Sequence, residues 1–324
     1  MTSGSGFTAD DDGLHPPGKH HAWTETSWWS FNVPERSLGG WLYAQVRPHQ
    51  NSTAGGAFVW DAESSLPWEL PFYAWFKHQR LPADFDLRHA QLPSGVTIDQ
   101  LEPATSYRLG YRFREGTDFT AELLFQALMP PFPYRTGAPP FSASSHYDQP
   151  GRVTGHIVVR GERLDVDCLS VRDRSWGPRP EHWGRQGRMS YAFGTADEHT
   201  GFLVFSHPQD DDPFTSQERA TSGYLLLEGK PRRIVDGSRR CVRDERDGMV
   251  RRIELDLRDQ DGRAVTAVGE SLSRMVLVQH RITYNSLLRW TIQVAGHGSA
   301  VGYGEDQDLW PVALTADRRR PAAT

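Results

Sequence analysis

Apolar and polar residues alternate along most of this chain, which is typical of β-strands with one buried face. Residues 107–113 carry Tyr, Leu, Tyr and Phe at every second position, and residues 119–127 continue the apolar phase after a short turn. Residues 153–159 and 164–168 repeat the pattern on either side of Gly161. The sequence therefore predicts two hairpins, each with one dry face.

The C-terminal half predicts two more hairpins. Residues 253–257 and 264–268 flank an Asp-Gly pair, which accepts positive φ and favours a tight turn. Residues 288–294 and 301–303 flank a Gly-containing turn. Many hairpins with short turns and few helices are typical of β-barrels and sandwiches, so the predicted fold class is all-β.

One segment has helical spacing instead. Pro71–His78 begins with a proline and then places Phe72, Trp75 and Phe76 three and four residues apart. This pattern predicts a short helix.

A proline-rich stretch near the middle of the chain predicts the junction of two β domains. Residues 129–140 contain five prolines, which remove backbone donors and fix φ. A length of 324 residues is also compatible with two domains. The predicted parts are a disordered leader (1–20), an N-terminal lipocalin-like β domain (21–150), a C-terminal lipocalin-like β domain (151–315) and a flexible tail (316–324).

Charge and hydropathy narrow the classes of partner. The chain has 36 Lys and Arg against 41 Asp and Glu, so nothing favours a nucleic-acid partner. It has no run of about 18 apolar residues, and therefore no predicted membrane span. The first twenty residues lack the apolar core of a signal peptide, which predicts a cytoplasmic protein. Cys168 and Cys241 are then expected to be reduced thiols, with a single disulfide as the alternative.

Aromatic residues are concentrated near the N-terminus. Seven of the eleven Trp lie within residues 23–75. They either fill the core of a sheet or line a cavity for an apolar ligand, since aromatic side chains supply large buried area.

Several familiar chemistries have no motif here. The sequence contains no phosphate-binding loop, no G-x-G-x-x-G after a strand, no G-x-S-x-G and no H-E-x-x-H. Its thirteen His are scattered without metal-ligand spacing. We therefore predict neither a cofactor nor a metal.

Four stretches carry a resemblance to a known family: Ser27–Asn32, Gly55–Asp61, the Arg-Asp-Arg-Ser-Trp-Gly-Pro-Arg block at Arg172–Arg179, and Gly302–Asp308. In them the chain resembles the AttH-like proteins related to carotenoid hydratases, which consist of two lipocalin-like β domains in tandem. Characterised relatives include hydratases and cyclases that act on terpenoid, tocopherol-like or polyketide skeletons.

The resemblance implies carbocation chemistry in a site that excludes water. Hydration of an alkene or cyclisation of a polyene begins with proton transfer to carbon and passes through a carbocation. Such a site needs an acid, exclusion of water, and aromatic faces that stabilise positive charge. In carotenoid hydratases the block reads Asp-His-x-Trp-Gly, whereas here Arg174 replaces the His. Arginine stays protonated and cannot shuttle a proton.

Asp173 is the first candidate acid. On a strand it shares a face with Val171 and Leu169, and an apolar setting would raise its pKa and keep it protonated near neutral pH. The alternative is a structural ion pair, in which Arg179 folds back and holds the carboxylate. Trp176 is expected to form a wall of the core or of the cavity.

Other candidates lie outside the block. His156 is either a structural histidine or a proton carrier. Tyr191 either donates a hydrogen bond into a pocket or only packs. Glu305 shares a face with Tyr303 and is either a second acid or a solvated strand end. The predicted substrate contacts are Trp176, Arg174, Arg179, Tyr303 and Trp290.

The leading functional hypothesis is a cofactor-independent lyase or isomerase, of the hydratase or cyclase type. Its expected partner is a hydrophobic isoprenoid-, steroid- or polyketide-like small molecule. The alternatives are a non-catalytic carrier of such a compound and a scaffold with a filled interior, because lipocalin-type barrels commonly hold one ligand and a fold alone does not decide function.

Overall fold

The computed structural model describes residues 6–113, 118–134, 144–179, 187–209, 212, 214–279 and 281–319. Within these ranges the chain is built of antiparallel strands, so the all-β prediction is confirmed. It divides into unit 1 (Met1–Trp60 and Leu70–Glu181) and unit 2 (Asp61–Glu69 and His182–Thr324).

Unit 1 is one curled sheet of eleven strands. Its order is β4-β3-β2-β1-β11-β10-β8-β7-β6-β5, with β9 paired to β10. The strands are β1 (Trp23–Val33), β2 (Leu38–Arg47), β3 (Ser52–Trp60), β4 (Phe72–Arg80), β5 (His89–Gln91), β6 (Val96–Glu102), β7 (Ser106–Arg112), β8 (Phe119–Ala127), β9 (Phe132–Pro133), β10 (Ser145–Val159) and β11 (Glu162–Pro178). Short 3₁₀ turns occupy Ala9–Asp12, Pro34–Arg36 and Pro48–Gln50.

The predicted hairpins of unit 1 are confirmed by their register. Tyr107 pairs with Phe125 and Leu109 with Leu123, and all four side chains are buried on the concave side of the sheet. The β10–β11 hairpin buries Val153 in the same core. Alternation thus places one set of side chains in this core and the other set on the convex face.

Unit 2 is a closed barrel of eight strands, followed by helix α1 (Val312–Arg319). The strands are β12 (Met189–Asp197), β13 (Thr200–Pro208), β14 (Gln217–Leu227), β15 (Lys230–Arg243), β16 (Val250–Asp259), β17 (Ala264–Val278), β18 (Arg281–Val294) and β19 (Gly298–Pro311). The hairpins predicted at 253–268 and 288–303 are β16–β17 and β18–β19.

The interior of the barrel is occupied by side chains. Trp290 is fully buried and packs edge-on against Phe202, with ring centroids 5.0 Å apart. A Cβ atom on Gly194 or Gly269 would lie 2.7 Å from the Trp290 ring, so these glycines make room for it. Trp290 is therefore a core residue and not the substrate contact that we predicted.

Charged side chains fill one end of the same interior. The Arg239 guanidinium is fully buried and bonds the Glu218 carboxylate at 2.7 Å and the Asp306 carboxylate at 2.8 Å. Arg243 binds Asp308 at 2.5 Å. These pairs neutralise one another, so the unit 2 barrel has the filled interior of a scaffold.

The helix predicted at Pro71–His78 is wrong, because this segment lies in β4. Strand β3 would otherwise present an unpaired edge, and it pairs with β4 from Val59 opposite Phe72 to Ser52 opposite Arg80. The local spacing of aromatic residues cannot reveal this tertiary partner.

The domain boundaries also differ from those expected. Residue 150 lies inside β10, which pairs with β11 along its whole length, so residues 151–181 belong to unit 1. Part of the predicted leader packs in unit 1, where Asp12 is buried. Part of the predicted linker (135–143) and the end of the predicted tail (320–324) lie outside the described residues.

Two further points concern cysteines and membranes. Cys168 and Cys241 are both buried free thiols, one in each unit. Among the described residues, none of the helices has the length and apolar character needed to span a membrane.

Candidate functional site

Asp173 lies on the convex face of the unit 1 sheet, in a row of residues set by strand register. It pairs with Trp28 of β1 and with Asp148 of β10, and Trp28 in turn pairs with Tyr43 of β2. Directly paired residues point to the same side of an antiparallel sheet. The register therefore brings a carboxyl group, a second carboxyl group and two aromatic rings together.

Aromatic side chains continue this face across β1 to β4. Trp28 lies edge-on to Trp41 with ring centroids 5.5 Å apart, and Trp41 lies 5.4 Å from Trp60. The Tyr43 and Trp75 rings meet at 5.4 Å, above a position where Gly56 offers no side chain. We call this set the aromatic face: Trp28, Trp41, Tyr43, Phe58, Trp60, Tyr73 and Trp75.

Some polar atoms on the aromatic face lack partners. The indole N–H groups of Trp60 and Trp75 and the Asn32 side-chain amide are buried without a hydrogen-bond partner in the described parts of the chain. A buried polar group left unpaired costs free energy, and a ligand or water at the site would supply the missing partner.

The Asp173 carboxyl group is also incompletely paired. Its side chain is half-buried, and its Oδ1 atom is buried without a hydrogen-bond partner among the described residues. Burial raises the pKa of Asp173 to about 6, because water no longer solvates the anion. The positive charge of His146 opposes this shift, and the nearby Asp148 carboxylate reinforces it. Asp173 can therefore hold a proton at mildly acidic pH.

His146 and Asp148 form a pair beside Asp173. The His146 Nε2 atom lies 3.1 Å from Asp148 Oδ1, and Tyr134 packs edge-on against the imidazole with ring centroids 5.5 Å apart. Burial lowers the pKa of His146, but the charges of Asp148 and then Asp173 outweigh it, so this pKa lies above its ordinary value. The imidazole is thus held by one carboxylate close to another.

Arg179 does not form the predicted ion pair with Asp173. Within the described structure its guanidinium donates to Ser175 Oγ, which in turn shares a 2.7 Å hydrogen bond with Thr26 Oγ1. Its charge still acts at a distance and lowers the pKa of Asp173. The structural alternative, a carboxylate bound by both arms of Arg179, is therefore not what this chain forms.

Arg174 and Trp176 lie on the opposite side of the sheet from Asp173. Arg174 is buried and forms an ion pair with Glu25. The Trp176 ring stacks on His15 with centroids 3.8 Å apart. Side chains at even positions of β11 point toward the concave core, so neither residue reaches the aromatic face as a substrate contact would.

Arg172 completes this inward row and binds the N-terminal segment. Its Nη1 atom lies 2.9 Å from Asp12 Oδ1, and both groups are buried. The Tyr107 and Tyr147 hydroxyl groups each donate to the Asp12 carboxylate at 2.6 Å. These bonds anchor a segment that we expected to be disordered.

His156 lies far along β10 from the Asp173 row. It is eight residues from Asp148, which corresponds to about 26 Å at the usual rise of about 3.3 Å per strand residue. Its Nε2 atom lies 3.9 Å from the Glu122 carboxylate on the sheet surface. This position favours the structural role over that of proton carrier.

The remaining candidates belong to unit 2. Tyr191 and Glu305 are buried on the outer face of the barrel, so Glu305 is not a solvated strand end. Tyr303 shares that face and is partly exposed.

Three residues of the site were missed by the sequence analysis: Tyr43, His146 and Asp148. They join Asp173 only through strand register, and no local motif marks them. The single available signal is the His-x-Asp spacing in β10, which places both side chains on one face of a strand.

In the described parts of the chain, the predicted site residues form no metal-binding cluster and line no separate cavity. Among the described residues, no three His, Cys, Asp or Glu side chains are placed to hold a metal ion. A cavity of about 1360 Å³ in unit 1 is lined mainly by residues of β6, β7 and β8, with further residues from β5 and β10, and none of the predicted site residues lines it.

The raised pKa of Asp173 predicts how stability depends on pH. A proton binds Asp173 more tightly in the folded than in the unfolded chain, so its stabilising effect is complete below about pH 3.8 and is lost as the pH rises through about 6. Relative to Asp173→Asn, we expect the wild-type free energy of unfolding to fall by about 2 kcal/mol between pH 4 and 7. Urea unfolding at several pH values measures this difference. Parallel profiles for the two proteins would contradict the raised pKa.

The fold and the site now define a class: a tandem all-β protein of the AttH-like fold, with an aromatic face and a protonatable carboxyl group. The chain belongs to the family described as a domain of unknown function (DUF7064), whose profile matches residues 8–305. None of the curated proteins compared with it matches this chain.

Solved structures confirm the fold that the sequence resemblance implied. The protein assigned as AttH (NE1406) from Nitrosomonas europaea is 16% identical, with a TM-score of 0.52 over 88% of this chain and 91% of that chain. Kievitone hydratase from Nectria haematococca is 12% identical, with a TM-score of 0.52 over 91% and 90%. CghA is 12% identical, with a TM-score of 0.56 over 90% and 88%. Because these proteins are only 12–16% identical to this chain, their similarity shows a shared fold and nothing about function.

Proposed function

We propose that this protein is a cofactor-independent lyase or isomerase, of the hydratase or cyclase type, that protonates a hydrophobic isoprenoid-, steroid- or polyketide-like molecule. The observation that carries the proposal is the Asp173 carboxyl group. It has a pKa raised to about 6 by burial, an unpaired Oδ1 atom, and the aromatic face beside it. A general acid works best when its pKa lies near the working pH.

The proposed reaction begins when protonated Asp173 gives its proton to one carbon of a C=C bond. The neighbouring carbon becomes a cation, and the Asp173 carboxylate remains. In a hydratase, water adds to the cation and releases one proton, so that the net reaction adds H₂O across the double bond. In a cyclase, a second C=C bond attacks the cation, and loss of a proton from carbon restores neutrality.

The neighbours of Asp173 suit the two later stages of this reaction. The faces of Trp28, Tyr43 and Trp75 can stabilise the carbocation, as aromatic quadrupoles do for cations held near the ring. His146, when neutral, can accept the proton released by water and return it to Asp173. Asp148 orients the imidazole for this transfer through the 3.1 Å contact. Kievitone hydratase, which shares the fold, is by its name a hydratase.

The test follows a proton from solvent to carbon. The protein is incubated in D₂O with a panel of prenylated phenols, acyclic polyprenes and polyketide polyenes, and the products are examined by mass spectrometry. We expect deuterium at one carbon of at least one compound, together with added water or a new ring.

A carrier would give a different result in the same experiment. It would bind a panel compound with saturation and return it without deuterium. That outcome would contradict the proposed enzyme and support the non-catalytic alternative.

A further inference from the structure

Arg179 follows β11 directly and lies over the face of the unit 1 sheet that carries Asp173. Its backbone N–H donates to Ala22 O at 2.8 Å, which continues the pairing of β1 with β11 past Pro178. Its guanidinium donates to Ser175 Oγ, four residues earlier in the chain. The Arg179 side chain is partly exposed, so a molecule bound at this face can contact it.

The guanidinium lies next to two register rows of this face. Ser175 pairs with Thr26 of β1 in one row. The other row contains Asp173 and Tyr43, and the Tyr43 hydroxyl group is hydrogen-bonded to Arg179 and Thr26. The rows are two strand residues apart, which is about 7 Å at the usual rise of about 3.3 Å per residue. Arg179 therefore lies close to the carboxyl group of Asp173 without forming an ion pair with it.

Arg179 has no carboxylate partner in the part of the chain that the structure describes. Its bonded side-chain partners there are neutral hydroxyl groups. The arginines of β11 that point into the core differ in this respect, since Arg172 pairs with Asp12 and Arg174 with Glu25. A guanidinium has five N–H donors, so Arg179 keeps donors for a further acceptor.

The proposed chemistry makes this surplus charge unfavourable. When Asp173 is protonated and His146 is paired with Asp148, Arg179 is the cation of this group that no described carboxylate neutralises. A carbocation formed beside it would be destabilised by repulsion between like charges. A negatively charged group on the bound molecule would remove that repulsion.

We propose that Arg179 binds a carboxylate group of the substrate, beside the C=C bond that Asp173 protonates. The planar guanidinium presents paired N–H groups that match a carboxylate, and such charge-assisted hydrogen bonds are stronger than neutral ones. The partly exposed rings of Tyr43 and Trp75, 5.4 Å apart, contact the apolar part of the molecule. The substrate is then an unsaturated isoprenoid- or polyketide-like acid. The inference rests on the proposed function, because it narrows the substrate of that reaction.

The first test compares geranate with geranamide, which share one unsaturated chain and differ in charge, by isothermal titration calorimetry at neutral pH. We expect the wild-type protein to bind geranate about 10–100-fold more tightly, the worth of a hydrogen bond to a charged group. Arg179→Gln can still donate to Ser175 but has no charge, and it should reduce this ratio to about one. Arg179→Lys keeps the charge without the planar fork and should give an intermediate ratio.

Arg112→Gln is the matched control for Arg179→Gln. Arg112 is an exposed arginine at the end of β7 in the same unit, and it lines the cavity of about 1360 Å³. Its replacement should leave the preference for geranate unchanged. Loss of the preference in Arg112→Gln but not in Arg179→Gln would place the carboxylate in that cavity and would overturn the inference.

The second measurement follows the Asp173 carboxyl group itself. Its carbon-13 chemical shift, assigned by its absence from Asp173→Asn, is recorded against pH with and without geranate. Burial raises the pKa of Asp173, and the Asp148 carboxylate adds to this effect. The charges of His146, Arg179 and Arg174 oppose it. A carboxylate that neutralises Arg179 should therefore raise this pKa further in the wild type and have no such effect in Arg179→Gln. An unchanged pKa in the wild type at saturating geranate would overturn the inference.

The outcomes separate this inference from the proposed function when unsaturated acids are added to the panel of compounds tested in D₂O. Equal affinity for geranate and geranamide, together with deuterium in neutral polyprenes, overturns the role of Arg179 and leaves proton transfer by Asp173 standing. An Arg179-dependent preference for geranate without deuterium in any compound supports the carboxylate site and contradicts the enzyme. Deuterium that enters only the acids, and is lost in Arg179→Gln, supports both.

Discussion

Replacement of Asp173 by Asn is expected to lower the rate of solvent-deuterium incorporation by about 10²–10⁴-fold, the usual contribution of general acid catalysis. The amide keeps the shape of the carboxyl group but has no proton to give to carbon. The fold should remain intact, because Arg179 bonds Ser175 and is not left unpaired. At pH 7.5 the variant should be as stable as wild type or more stable, since it no longer carries a half-buried anion.

The matched control for this prediction is Asp167→Asn. Asp167 lies on the same strand and points to the same side as Asp173, but it is exposed and pairs with Arg152 at 2.8 Å. Its replacement should leave turnover unchanged and alter stability by less than about 1 kcal/mol. If Asp173→Asn instead loses about 3–5 kcal/mol, as for a broken buried ion pair, then Asp173 is structural. If Asp173→Asn keeps full activity and melts like the wild type, Asp173 is neither the acid nor a structural residue, and Glu305 becomes the next candidate acid.

Asp12→Asn is expected to destabilise unit 1 by about 3–5 kcal/mol, because it leaves the buried Arg172 guanidinium without its counter-charge. Burial raises the pKa of Asp12, but the Arg172 charge and the Tyr107 and Tyr147 hydroxyl groups outweigh it and hold this pKa below its usual value. The stabilisation is therefore present at neutral pH and is lost as the pH falls through the folded-state pKa.

Asp10→Asn provides the comparison for Asp12→Asn. Asp10 is exposed two residues earlier, so the same chemical change there should cost almost nothing. Equilibrium urea unfolding at pH 7 measures both variants. Equal stability of the two would mean that the N-terminal segment contributes nothing to the fold, which is what a disordered leader predicts.

The sequence was sufficient for features that depend on neighbours along the chain. The alternation in 107–127 predicted a hairpin whose register is now confirmed, because period two is imposed by the strand itself. The same reasoning placed Asp173 on the strand face of Val171 and Leu169, and the structure shows Arg172 and Arg174 on the opposite face. The AttH-like fold also followed from short stretches of sequence.

Features that depend on distant partners could not be derived in this way. Most of Pro71–His78 forms strand β4 because it pairs with the edge of β3, although the spacing of its aromatic residues is also compatible with a helix. Asp12 is buried because Arg172, 160 residues away, points into the concave core. Likewise, Tyr43 and His146 lie on other strands than Asp173, and only the register of the sheet shows that they are close to it.

In strand β11, even-numbered and odd-numbered residues have different roles, because their side chains point to opposite faces of the sheet. Its even positions hold Arg172 and Arg174 in the core, and its odd positions present Asp173 and Ser175 to the convex face. Insertion or deletion of a single residue upstream in β11 would exchange the two sets, burying the acid and expelling the arginines. Evolution of this family should therefore exclude length changes within β11. Substitutions at odd positions, by contrast, change the convex face and leave the register of the strand and the arginine contacts of the core as they are.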